Sequence, residues 1–192
     1  MNDFILADRI EATVCAINKI QERYQEIIDV SNYIIDSYNA GGKTIIFGNG
    51  GSAADAQHFA AELVCKYKMN RDPIPAMALT TDTSILTAWS NDVGYDSVFS
   101  RQIEAFAGER DTVIGISTSG TSPNVINGLR TAKVIGSSTV LLTGDKPPKQ
   151  NLSYIDQYIK VDSKDTPVIQ EAHIVIIHII CDLVERALFG LT

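Results

Sequence analysis

Residues 113–124, Val-Ile-Gly-Ile-Ser-Thr-Ser-Gly-Thr-Ser-Pro-Asn, decide how this chain is to be read. The apolar run Val113 to Ile116 has the composition of a buried strand. It opens directly into five hydroxyl residues around Gly120, and Pro123 then starts a helix-like segment that continues to Ile135. A proline at the first helical position is pre-set for a helix and costs it no hydrogen bond. Hydroxyls and free backbone N–H groups gathered at the positive end of a helix form an anion cradle. The donors here are neutral, and the Gly-x4-Gly-Lys-Ser/Thr pattern of nucleotide-binding loops is absent. The stretch therefore points to the phosphate of a small metabolite, held at the end of a strand.

Working outward, the same grammar repeats. Apolar, β-rich runs fall at 44–47, 76–79, 112–116, 139–142 and 158–161. Helical patterns occupy 53–66, 83–89, 97–107, 123–135 and 168–188. Continuous apolar strands alternating with helices predict a doubly wound, five-stranded parallel α/β sheet covered on both faces. Ahead of it, Ile10, Val14, Ile17, Ile20, Tyr24, Ile27 and Ile28 recur at helical spacing, so residues 1–40 read as an added N-terminal helical region closed by Gly41-Gly42. Ligands in such sheets lie beyond the carboxyl ends of the strands. Two turns there carry the chemistry: Gly48-Asn-Gly-Gly-Ser-Ala53 and Ser117–Ser122.

Length and composition fit this picture. The 192 residues make one domain, long enough to bury a core. A net charge of −7 argues against a partner held through nucleic-acid phosphates. The first residues lack the basic start of a signal segment, and the longest apolar run, 174–181, is too short to span a membrane and contains His178. Cys15, Cys65 and Cys181 are few, odd in number and far apart, which suits a reducing compartment such as the cytoplasm.

Three histidines are candidates for chemistry. His58 and Glu62 stand four apart on the helix that leaves the Gly-rich turn, close enough to share a metal or a substrate, or simply to form a surface ion pair. His178 lies in the apolar run and is expected to be buried, as a core residue or as a ligand. Gln170 precedes it by eight residues, about 12 Å along a helix and roughly 80° around it. The two reach one ion only with extended side chains or across a subunit boundary. His173 is the weakest candidate, and Asn91-Asp92 reads as a turn.

Taken together, Gly48 to Glu62, Thr80 to Ser84, Asn91-Asp92, Ser117 to Ser122, and Ile169 through His178 resemble the phosphoheptose isomerase family of SIS (sugar isomerase) proteins. The resemblance runs from about Gly41 to Leu188. It implies a flavodoxin-like, three-layer αβα fold. It implies conversion of D-sedoheptulose 7-phosphate to D-glycero-D-manno-heptose 7-phosphate through an enediol, the first step toward nucleotide-activated heptose. By the same resemblance Glu62 is the base and His178 its acid/base partner, and one zinc per subunit is held by His58, Glu62, Gln170 and His178. Ser117, Thr118, Ser119 and Ser122 hold the phosphate, and Asn49, Gly50, Gly51, Ser52, Asn91, Asp92 and Gln170 line the sugar site. A homotetramer with active sites between subunits is implied as well, with the N-terminal helices used in its packing. The chain departs from the family at Val168, where arginine is usual, and at Cys65-Lys66, where Gly-Arg is common. Non-enzymatic SIS proteins that bind the replication initiator, and isomerases of other sugar phosphates, are the alternatives. The former lack the glutamate and histidine present here at 62 and 178.

Overall fold

The computed structural model describes residues 2–145 and 152–190. Five parallel strands form its centre: β1 (Thr44–Gly48), β2 (Ala76–Ala78), β3 (Thr112–Ser117), β4 (Ser138–Thr143) and β5 (Gln157–Lys160), in the order β2-β1-β3-β4-β5. Seven helices surround them: α1 (Asn2–Asn18), α2 (Tyr24–Asn39), α3 (Gly51–Val64), α4 (Thr83–Asp92), α5 (Val98–Phe106), α6 (Pro123–Ile135) and α7 (Thr166–Phe189). Alternate residues of each buried strand feed opposite layers. Ile46, Ile114, Ile116 and Leu142 pack under α2, α3 and α7, whereas Ile45, Phe47, Val113 and Leu141 pack under α5 and α6. The doubly wound αβα architecture read from the sequence is therefore present.

The order in which successive strands are added reverses between β1 and β3, which are parallel direct neighbours with Gly48 opposite Ile116. Their carboxyl ends open a crevice at this switch point, where open α/β sheets bind ligands. Glycine permits the close packing behind it: a Cβ on Gly115 would meet Val125 at 2.8 Å, so α6 lies tight on β3.

Several boundaries differ from the sequence reading. The N-terminal region is two helices, split by a 3-10 turn at Lys19–Arg23. Helix α3 begins at Gly51, two residues earlier than expected, because Gly50 takes the sharp turn with φ of 56°. Helix α4 runs on to Asp92, so Asn91 and Asp92 finish a helix and do not form a turn. Val168 is buried on the inner side of α7, so an aliphatic side chain fills the position where the resemblance implies arginine. Among the described residues no helix is long and apolar enough to cross a membrane.

Candidate active site

The cradle is built where β1 and β3 end. After Ser117 the chain turns through Gly120, whose φ of 64° favours glycine, and Gly120 N–H donates to the Ser117 carbonyl at 2.9 Å. The turn folds the Ser117 and Ser122 hydroxyls to 2.9 Å from one another. The two loops are tied together by amides. Asn49 Nδ2 donates to Asn124 Oδ1 at 2.9 Å and Asn124 Nδ2 donates back to Asn49 Oδ1 at 2.8 Å, while Tyr95 Oη also donates to Asn49 Oδ1 at 3.0 Å.

A cavity of about 320 Å³ results, lined by Asn49, Gly50, Gly51, Ser52, Ile116, Ser117, Thr118, Ser122, Thr166 and Gln170. Among the described residues no charged side chain lines it. Three helix N-termini border it: α3 at Gly51, α6 behind Ser122 and α7 at Thr166. The positive ends of their dipoles suit a phosphate. Eight of the substrate-site residues expected from the sequence are brought together here. Ser119 stands at the edge of the loop, its Oγ 3.4 Å from Ser117 Oγ and accepting from Thr121 N at 3.2 Å, and it lines a smaller neighbouring cavity with Asp145 and Lys164. Asn91 and Asp92 are exposed at the end of α4 and hydrogen-bond to each other; they do not line the cavity. Asn124 and Thr166 were not anticipated. The signal for Asn124 was its place immediately after Ser-Pro, in the first turn of a helix that begins at a ligand loop.

The second group lies farther along α3 and α7. Gly51, His58 and Glu62 fall on one stripe of α3, and seven residues carry His58 about 10 Å from the cradle. There His58 Nε2 is 2.9 Å from His178 Nε2 and 3.5 Å from Glu62 Oε1. The His178 ring stands edge-on to His58 and stacks on Tyr67, with centroids 5.1 Å and 5.6 Å away. His178 is only half buried, contrary to expectation; the fully buried histidine is His173, whose Nε2 sits 3.3 Å from the Thr143 carbonyl oxygen. Gln170 stays with the cradle. Its side chain occupies the space that a Cβ on Gly51 would take, so within one chain it does not join His58, Glu62 and His178.

One ligand atom from each of His58, Glu62 and His178 lies within 4.8 Å of the others. Tetrahedral ligands at zinc-like bond lengths sit about 3.3 Å apart, so two imidazoles and a carboxylate at these spacings fit a divalent ion with an open coordination position. Asp55, one turn before His58, is buried, and its Oδ2 has no hydrogen-bond partner among the described residues. Burial pushes its carboxyl up to about 6, against an opposing pull from His58.

The chain matches the SIS domain family model over residues 9–144. It is 49% identical over 190 residues to a phosphoheptose isomerase of Geotalea uraniireducens (strain Rf4), covering 96% of this chain and all of that one. It is 57% identical over 156 residues to a phosphoheptose isomerase of Geobacter sp. (strain M21), covering 81% of each. Among solved structures, phosphoheptose isomerase GmhA from Neisseria gonorrhoeae superposes with a TM-score of 0.89 at 35% identity, covering 96% of this chain and 99% of that chain.

Proposed function

The chain belongs to the phosphoheptose isomerase family of SIS-domain proteins, and on that premise we propose that it converts D-sedoheptulose 7-phosphate to D-glycero-D-manno-heptose 7-phosphate. One observation carries the reading: a carboxylate and a histidine from different helices meet about two helical turns from a phosphate cradle. The cradle fixes the far end of an extended sugar phosphate, and the reacting carbons then fall at the cluster.

Isomerisation moves one proton between C1 and C2 and one between their oxygens. Glu62 takes the C1 proton of the ketose as the C2 oxygen is protonated by His178, which gives the enediol. His178 then removes the proton from the C1 hydroxyl while Glu62 returns its proton to C2, which leaves the aldose. Glu62 Oε1 is turned to His58, so Oε2 is the oxygen assigned to the substrate. His58, Glu62 and His178 are the residues that would hold a divalent ion, zinc in this reading at one per subunit, whose contribution when bound is to polarise the carbonyl. A ligand role for Gln170 would require an ion shared across a subunit boundary. Asn49, Gly50, Gly51, Ser52 and Gln170 orient the sugar, and Ser117, Thr118, Ser119 and Ser122 hold its phosphate. The three free cysteines, one of them buried, support assignment to a reducing compartment, the cytoplasm.

Incubation of the purified protein with sedoheptulose 7-phosphate is expected to yield the aldose product and to slow when a chelator is added. Glu62→Gln and His178→Gln should each reduce turnover by at least ~10²-fold while leaving thermal unfolding as in the parent. Full activity in either variant would overturn the assignment.

A further inference from the structure

The turn that follows α3 is held by a buried ion pair that reaches both catalytic helices. Arg71 and Glu185 are each 2% exposed at the side chain, with Arg71 Nε 3.1 Å from Glu185 Oε1. The Glu185 carboxylate accepts three successive backbone N–H groups as well, from Tyr67 at 3.1 Å and from Lys68 and Met69 at 2.8 Å. The other face of the guanidinium turns back to α3. Arg71 Nη2 donates to the Glu62 carbonyl at 2.9 Å and Nη1 donates to the Leu63 carbonyl at 2.8 Å. These carbonyls belong to the last turn of α3, where no intrahelical donor remains and a cation is favoured. Phe189 covers the guanidinium, with Cζ 5.6 Å from its ring centroid.

The placement matters more than the strength. Glu185 lies seven residues beyond His178 on α7, about 10 Å away on the same face. The turn it pins delivers Tyr67 onto the His178 imidazole. Arg71 meanwhile fixes the backbone of Glu62 itself. Replacing a buried ion pair by apolar groups of like volume is often neutral or stabilising, so burial of the pair is not by itself evidence of a stabilising role. Its distinctive effect is directional, because seven hydrogen bonds must all be satisfied in one arrangement. Accepting those N–H groups holds the Glu185 carboxyl below the usual carboxylate range in spite of burial.

We propose that Arg71 and Glu185 are positioning residues for the reaction: through the Tyr67 turn and the α3 terminus they set the separation and orientation of His178 and Glu62. This rests on the assignment of those two residues as catalytic. Glu185→Gln, Arg71→Lys and Tyr67→Leu test it, with kcat and KM for sedoheptulose 7-phosphate and the visible spectrum and chelator-competition affinity of the Co²⁺-loaded protein as readouts. Outer groups that orient a metal site typically control it by roughly 10- to 100-fold. We expect losses of that order in kcat and Co²⁺ affinity for Glu185→Gln and Arg71→Lys, with an altered Co²⁺ spectrum and an unchanged KM, because the cradle lies two turns away. Tyr67→Leu should lose part of kcat with the Arg71–Glu185 pair intact. Lowered thermal stability with parental kcat and spectrum would mean a structural role only and would overturn the proposal. So would a rise in KM alone. If the two ion-pair variants do not fold, Tyr67→Leu decides, and parental kcat and spectrum there refute it. A parent protein without isomerase activity would strike the functional reading, while the Co²⁺ measurements would still test the positioning role.

Discussion

His173 and His178 sit five residues apart on α7 and behave in opposite ways. His173 is fully buried, and burial lowers it to about 4, with a smaller opposing effect of its hydrogen bond to Thr143. It is therefore neutral in the fold and ordinary, near 6.5, once unfolded. The unfolded chain then binds the extra proton as pH falls below 6.5, so stability is lost between that value and about 4. Between pH 7 and 5 the loss is about 2 kcal/mol per chain. Asp55 acts in the other direction, since its raised carboxyl takes up a proton in the fold first and gains stability as pH drops through 6. The test is therefore a difference: His173→Gln keeps an amide donor for Thr143 but cannot titrate. Its melting temperature should fall less between pH 7 and 5 than that of the parent. Equal slopes would show that His173 charges freely in the fold. The sequence placed the wrong histidine in the core, because residues 174–181 are apolar on every side of His178 and periodicity cannot say which stripe faces inward. The sheet chooses Ala172, His173, Ile176, Ile177 and Ile180, which leaves His178 at the margin.

What was legible was the grammar of elements. Strands β1, β3 and β4 lie within about a residue of their expected bounds, because apolar runs between turn residues admit little else. The cradle was legible for the same reason, as hydroxyls cluster at a strand end. What escaped was tertiary: Asn124 looked like an ordinary helix residue, and only the approach of β1 to β3 gives it Asn49 as a partner. Asn124→Ala removes both amide bonds and the bond from Val125 N to its own Oδ1. Leaving polar groups unpaired at such a site costs about 1–3 kcal/mol. Because the proposed reading gives the phosphate, and not the reacting carbons, to these two loops, the loss should fall on binding. KM is expected to rise about tenfold, equivalent to 1.4 kcal/mol, with kcat changed much less. Steady-state kinetics on the variant checks this, and a fall in kcat at constant KM would contradict the division between cradle and cluster.

The outer face of α1 has no partner within the described chain. Ile5, Leu6, Ile10 and Val14 run along it, with Ile10 56% and Val14 49% exposed. Beside it an apolar groove of about 400 Å³ is lined by Ile17, Ile20, Tyr24, Ile28, Val175, Ile179 and Leu183. Single exposed apolar residues are ordinary, but a continuous stripe with an adjoining groove marks an interaction surface. Val175, Ile179 and Leu183 also line the cavity that contains His178 and Tyr67, so the apolar groove borders the reacting end of the site. This arrangement supports the homotetramer with active sites between subunits that the family resemblance implies. Four chains of 20.9 kDa should elute together when mass is measured by light scattering during gel filtration. The double variant Ile10→Asp, Val14→Asp places two charges in the stripe, where burial would cost several kcal/mol per ion. Dissociation into smaller species is expected, with far-ultraviolet circular dichroism unchanged and isomerase turnover falling in step with the loss of tetramer. Dissociated chains that keep full turnover would show that each subunit carries a complete site. A variant that keeps the parental mass would remove α1 from the interface.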